Sequence, residues 1–413
     1  MKLGDMQLER LNALLGQILP ANEFYARKLG DKAGPFSSLE EFAAAVPFTT
    51  KDELAVDHER HPPYGTTLTF PLETYTRFHQ TSGTRGTPMA WLDDSEGWAW
   101  VLKSWQWVWA NAGARSGDSA FFPFSFGPFI GFWSAFEAAA EMGIRAIPGG
   151  GLSSENRLRM MSLHRPQFMA CTPTYALHLA LVGKQMSLPV DELGLDALVV
   201  CGEPGGSIPE VRKRIESEYG ARVVDHHGMT EVGPVTVSDP ANPGVLRIFH
   251  SSYYAEVINP ESHEQVSPGE VGELVLTTLG RHGAPLIRYR TGDLVRPTVI
   301  EGEDPEAFGL EEGIIGRADD MVVVRGVNVY PSAIEAVVCS VDGIAEYQVE
   351  VDERGALPEI RLMIEKCGES QVEEELEARL RSVFSMRIPV RAVEPGTLPV
   401  HEVKAQRWKV ITK

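Results

Sequence analysis

The first sixty residues place apolar positions three and four apart, as in "MQLERLNALLGQIL", and so predict mostly helix with one face turned inward. The run "YTRFH", residues 75–79, reads instead as a strand. From 116 to 235, strand-sized and helix-sized apolar segments alternate. They run "SAFFPF", a helix to Met142, "IRAIPGGG", a helix near 154–164, "QFMACTP", the helix "YALHLALVGKQ", "LDALVVCGEP", the helix "PEVRKRIESEYG" and "ARVVDHHG". Units of that size imply parallel strands joined by crossover helices. Over 236–316 the pattern changes to short alternating strands, "SYYAEVINP", "GELVLTTLG" and "PLIRYRTGDLVRP", cut by Gly and Pro turns, which predicts antiparallel sheet or barrel. A strand and helix in "MVVVRGVNVYPSAIEAVV" then open a compact last block with a helix over 370–384. The expected fold class is α/β. A large N-terminal domain, 1–318, carries mixed and parallel sheets and a β-rich subdomain at about 236–316, and a small α+β domain fills 319–413.

Charge narrows the function. A net charge of −19 over 413 residues argues against nucleic acid and against an anionic membrane surface, although a local basic pocket could still hold a phosphate. The amphipathic N-terminus carries acids inside its apolar pattern and lacks the apolar core of a signal peptide. The apolar run 121–140 is interrupted by prolines, glycines and Glu137, so a buried strand or loop entering a helix is expected there, not a membrane span. Cysteines 171, 201, 339 and 367 form no C-x-x-C pair, which points to reduced thiols in a cytoplasmic protein.

Candidate chemistry clusters at turns. "HQTSGTRGTP", residues 79–88, follows a predicted strand and has the composition of a loop closing around an anion, yet the pattern G-x-x-x-x-G-K-[ST] is absent. The turns "PGGG", "CTPT", "CGEPGG" and "HHGMTE" fall at the carboxyl ends of the predicted parallel strands, where such sheets bind ligands. In the last of these, Thr230 could touch a phosphate and Glu231 could hold Mg²⁺, against the alternative of a solvated turn. His226 and His227 could ligate a metal with Cys201 or His250, with structural histidines as the commoner alternative. Asp293 in "YRTGDL" suits ribose hydroxyls or an ordinary turn. The segment "PGTLPVHEVKAQRWK" reads as a loop carrying Lys404 outward.

Taken together and in order, "TSGTRGTP", "CGEP", "HHGMTEVGP", "PLIRYRTGDL", "GRADDMVVVRGVNVYPSAIE" and "PGTLPVHEVKAQR" resemble the motifs of adenylate-forming enzymes, specifically the phenylacetate–CoA ligase family. The resemblance runs from about residue 10 to the C-terminus. It implies ATP, Mg²⁺ and CoA as cofactors, a carboxylic acid substrate, and a mobile small domain that swings between acyl-adenylate and thioester formation. It further implies that Thr81, Ser82, Gly83, Thr84 and Gly86 wrap the β- and γ-phosphates, and that Glu203, Pro204 and His226, His227, Gly228 and Met229 line the adenine site. Thr230 and Glu231 would serve the α-phosphate and Mg²⁺, Asp293 and Arg317 the ribose, Asp319 the hinge, Gly326 the CoA thiol and Lys404 catalysis. Thr87 stands where the family usually has lysine, which leaves the phosphate grip to amides, hydroxyls and Arg85. Phe126 and Phe129 would wall the acyl pocket, with Gly205 and Gly228 setting its depth, and aromatic walls suit an aryl or arylacetic acid such as phenylacetate. The alternatives are an enzyme that loads an acyl carrier protein or an amine, and a nucleotide-binding homologue without turnover. A homodimer and a carrier protein stay open as partners.

Overall fold

The structure is a computed structural model describing residues 2–19, 21–81, 88–318, 321–324, 327–354, 358–368, 371–399 and 406–412. The chain forms two compact units. The first holds Met1–Ala120, Ser125–Ile147 and His226–Glu311; the second holds Phe121–Phe124, Pro148–Asp225 and Glu312–Lys413.

The N-terminal part of the first unit is helical, as its apolar spacing predicts: α1 (Leu3–Ile18), α2 (Glu23–Leu29), α3 (Leu39–Ala45) and α4 (Lys51–Arg60). Side-chain oxygens start three of them. Asn22, Ser38 and Thr50 each accept an amide of the first turn, and Thr50 with Glu53 completes a capping box on α4. β1 (Tyr75–Gln80) and β2 (Ala90–Asp94) pair antiparallel, Gln80 opposite Ala90, so the 82–88 stretch joins two bonded strands. α5 (Ser95–Asn111) follows at once, with Asp94 accepting from Gly97 N. Its buried Trp98, Trp105 and Trp109 supply much of this unit's core. β3 (Ser119–Phe122) leads through a loop to α6 (Ile130–Glu141), and β4 is Arg145–Pro148. The apolar run 121–140 is therefore strand, loop and helix, and among the described residues no helix is long and apolar enough to cross a membrane.

The second unit begins with α7 (Ser154–His164), β5 (Phe168–Cys171), α8 (Pro173–Gln185), β6 (Ala197–Val200), α9 (Pro209–Tyr219) and β7 (Arg222–Asp225). β5, β6 and β7 are parallel neighbours, Ala170 beside Val199 and Val199 beside Val224, buried throughout except at Arg222, the first residue of β7. Their near-continuous apolar sequence is what burial on both faces demands.

β8 (Gly228–Met229) and β9 (Gly233–Pro234) form a small hairpin in the first unit. β10 (Thr236–Ser238), β11 (Val245–Ile248), β12 (Tyr253–Ile258), β13 (Gly272–Thr278), β14 (Tyr289–Val299) and β15 (Phe308–Arg317) make a six-stranded sheet in the order β10-β11-β15-β14-β13-β12. The β-rich segment expected at 236–316 is this sheet. In the second unit, β16 (Val322–Val324), β17 (Val327–Val329) and α10 (Pro331–Cys339) precede β18 (Ile344–Asp352), β19 (Glu359–Lys366), α11 (Glu373–Phe384), β20 (Val390–Val393) and β21 (Trp408–Ile411). The sheet order is β20-β19-β18-β21, packed on Ile334, Val338, Leu376 and Leu380. The sequence reading of the tail as a loop holds for neither Trp408 nor Lys409, because both belong to β21, a parallel partner of β18.

Candidate functional site

The "HHGMTE" segment leaves β7 and enters the β8–β9 hairpin. A Cβ on Gly228 would lie 2.8 Å from the Gly233 carbonyl oxygen and 3.0 Å from Pro234 Cα, so only glycine lets β8 and β9 pair. His226 is buried against Trp105, with ring centroids 4.4 Å apart, and its Nδ1–H donates to the Thr236 carbonyl at 2.6 Å. Burial pushes its pKa down to about 3; the Thr236 hydrogen bond opposes that shift and nearby His227 adds to it. His226 is therefore a neutral, oriented ring at pH 7.

A pH dependence follows with a definite sign. The folded value lies below the unfolded one, near 6.5, so the stability contributed by neutral His226 is complete above pH 6.5 and is lost as pH falls toward 3. Between pH 6.5 and 4.5, above most carboxylate titration, wild type is expected to lose stability faster than His226→Asn, by up to about 1.4 kcal/mol per pH unit. Denaturant unfolding at stepped pH measures it, and parallel curves for the two proteins would refute it.

Asp293 reaches the same place from β14. The register between β13 and β14 shifts between Glu273 and Val275, opposite a Gly292 with φ of 77°, so "TGD" is a bulge inside a strand and not a free turn. The bulge buries Asp293 and leaves its Oδ2 3.2 Å from His227 Nε2. Two further features fix β14. Arg288 takes a left-handed φ of 46°, uncommon outside glycine, and is held by two bonds to Glu256 at 2.8 and 3.0 Å. Thr49, next to the N-cap Thr50 of α4, is bonded on both sides, its carbonyl accepting from Arg290 N and its own N–H donating to the Arg288 carbonyl, each at 2.9 Å.

That anchoring brings the first turn of α4 to Glu231. The Lys51 ammonium sits 3.4 Å from Glu231 Oε1, the lysine half-exposed and the carboxylate buried. On the backbone side, the fully buried Arg281 donates to the Glu231 carbonyl at 2.7 Å and the Thr230 carbonyl at 3.3 Å. Its remaining nitrogens grip both oxygens of Asp93, at 2.6 and 2.8 Å. Burial alone would raise the Asp93 carboxyl, but the charge and hydrogen bonds of Arg281, with His79 3.8 Å away, hold it below its ordinary value. Lys51, Arg281 and Asp93 were not found from sequence, since nothing local marks them.

The other expected residues divide. Thr81 is buried, donates its amide to the Met89 carbonyl at 3.0 Å and accepts Met89 N at its hydroxyl at 2.9 Å. Phe126 packs on Trp133 and Phe136, with centroids 4.8 and 5.2 Å away, and Phe129 packs on Phe132. Gln80 N donates to the Pro128 carbonyl at 2.7 Å, which sets this aromatic segment beside the end of β1. Glu203, Pro204, Gly205 and Arg317 belong to the second unit. There Glu203 accepts the Thr174 amide at 2.9 Å, and a Cβ on Gly205 would strike Pro173 at 2.6 Å, so close packing against α8 requires that glycine. Ser82, Gly83, Thr84, Gly86, Asp319, Gly326 and Lys404 lie outside the described residues. Among the described residues no three His, Cys, Asp or Glu side chains are grouped to hold a metal; His226 and His250 bond backbone carbonyls instead.

Comparison with known proteins places this geometry. Residues 78–280 match the AMP-binding enzyme family and residues 326–410 the AMP-binding enzyme C-terminal domain. A phenylacetate–coenzyme A ligase of Thermus thermophilus is 32% identical, the match covering 88% of this chain and 81% of that protein. One from Pseudomonas putida is 30% identical over 98% of this chain and 93% of its own length. Among solved structures, 2-hydroxyisobutyryl-CoA ligase with its 2-HIB-AMP ligand in the postadenylation state is 29% identical and covers 98% of this chain and 89% of its own, with a TM-score of 0.91. With CoA in the thioesterification state the same ligase gives 0.73.

Proposed function

Because the chain belongs to the phenylacetate–CoA ligase family of adenylate-forming enzymes and is an ATP-dependent, AMP-forming carboxylic acid–CoA ligase, we propose an aryl or arylacetic acid, such as phenylacetate, as its substrate. The observation that supports the site assignment is the meeting of Glu231, His227 and Asp293 around one short hairpin, with aromatic Phe126, Trp133 and Phe136 grouped in the segment bonded to β1.

In this reading the acid carboxylate attacks the α-phosphorus of ATP and pyrophosphate leaves. The CoA thiol then attacks the acyl carbonyl, the thiol proton is lost and AMP departs. Asp293 accepts ribose hydroxyls, the His226–Met229 segment lies along the adenine, and Thr230 reaches the α-phosphate. The buried Glu231 carboxylate offers the hard oxygen Mg²⁺ prefers, most of whose other ligands would be phosphate and water. Bound there, Mg²⁺ would neutralise charge building on the phosphates. Lys51, beside Glu231, adds a cation where the loop has Thr87 in place of lysine. Lys404 is the catalytic lysine, Asp319 the hinge of a mobile unit 319–413, Gly326 the passage for the CoA thiol, and the 81–86 loop the grip on the β- and γ-phosphates.

The test is pyrophosphate release from ATP across aryl, arylacetic and short aliphatic acids, with and without CoA. We expect release with an aryl or arylacetic acid, accelerated by CoA. Release confined to aliphatic acids would overturn the substrate, and acid-dependent release indifferent to CoA would point to a carrier protein or amine as acceptor.

A further inference from the structure

Arg407 stands three residues beyond Lys404, immediately before β21. Its side chain is largely buried and ion-paired twice within the C-terminal block, to Glu335 of α10 at 3.0 Å and Glu346 of β18 at 2.7 Å. The guanidinium carbon also lies 4.6 Å from the centre of the Tyr347 ring. Its backbone carbonyl accepts from Val349 N at 2.7 Å. These contacts join neighbours in one small fold and would travel with it.

One more bond leaves that fold. Arg407 Nη1 donates to Thr174 Oγ1 at 3.2 Å, in the first turn of α8, at the carboxyl end of β5. Thr174 in turn gives its amide to Glu203 at 2.9 Å. A charged donor aligned by two carboxylates and an aromatic face thus reaches the turn next to the expected adenine-site residue, all within the second unit. The related 2-hydroxyisobutyryl-CoA ligase is known in separate postadenylation and thioesterification states.

We propose that Arg407 is a positioning residue whose hydrogen bond to Thr174 latches the lysine-bearing tail onto the α8 turn for adenylate formation, and that this bond opens for thioester formation. The inference rests on the reading above that the two half-reactions use two placements of the C-terminal unit. The bond to Thr174 can be removed without touching the ion pairs that hold Arg407, by Thr174→Val, while Thr174→Ser keeps the hydroxyl.

Thr174→Val should release pyrophosphate about tenfold more slowly at saturating acid and ATP, a loss at the low end for a hydrogen bond to a charged group. Its ATP KM and its thioester formation from supplied acyl-adenylate should stay within twofold of wild type, and Thr174→Ser should restore the rate. A raised ATP KM with unchanged kcat, or equal loss in both half-reactions, would overturn the latch. Tryptic cleavage after Arg407 gives a second readout that needs no substrate. The Val variant should be cut several-fold faster than wild type and the Ser variant should not, and equal rates for all three would overturn the latch. Wild type that released no pyrophosphate with any acid would fail the ligase reading, while cleavage would still decide the contact.

Discussion

Lys404→Ala is expected to slow pyrophosphate release on the order of 100- to 1000-fold while sparing thioester formation from a supplied acyl-adenylate. The reason lies in where charge develops. In the first half-reaction negative charge builds on the α-phosphate as the carboxylate adds, and a cation already in place stabilises it without reorganisation; loss of one such contact typically has that magnitude. In the second, the thiol attacks the acyl carbonyl and charge passes to the departing AMP, but in the proposed mechanism the lysine-bearing block has by then taken its other placement, so the loss of Lys404 is not felt there. Single-turnover measurement of the two halves separates them. Adenylate formation within about threefold of wild type would remove Lys404 from the mechanism.

The second large effect concerns stability. Asp93→Ala leaves the Arg281 guanidinium buried and without its carboxylate, and such a broken buried pair costs about 3–5 kcal/mol. The double change Asp93→Leu with Arg281→Met removes both charges, and replacing a buried pair by apolar groups is often close to neutral. Stability should therefore largely return in the double variant. Adenylate formation should not, because the Thr230 and Glu231 carbonyls have lost the donor that fixes them. Urea unfolding midpoints with pyrophosphate release on the same samples test both halves. A single variant as stable as wild type, or a double variant with full activity, would contradict this account.

The parts of this molecule that were legible in its sequence are those whose signal is local. The β5–β7 region reads correctly because each strand end carries its own Gly or Pro turn and each helix its own period, and α7 spans 154–164 as expected. Glu231 and Asp293 were visible because a carboxylate beside a glycine turn is marked by its neighbours in the chain. α5 was passed over, since five tryptophans at 98, 100, 105, 107 and 109 blur the polar face that would announce an amphipathic helix. β21 was missed because an edge strand of four residues is defined by β18, to which it pairs, and not by itself. Lys51, Arg281 and Arg407 share one difficulty. Each acts on a residue distant in sequence, Arg281 on Glu231 50 residues away and Arg407 on Thr174 233 away, and a lone basic residue says nothing about such a partner. The bulge at Gly292 illustrates the same limit, for "TGD" alone reads as a turn until β13 is laid beside it.

The hairpin that closes at Thr81 and Met89 has a consequence for how this protein can drift over time. Two hydrogen bonds there, following the Gln80–Ala90 pair, fix both ends of the 82–88 stretch whatever its length. Closure entropy grows only logarithmically with loop size, so adding two residues would change folding stability by about 0.2 kcal/mol. Insertions and deletions at this point are thus nearly silent to the fold. Under the proposed phosphate grip, chain length between Thr81 and Met89 answers to binding and hardly at all to folding.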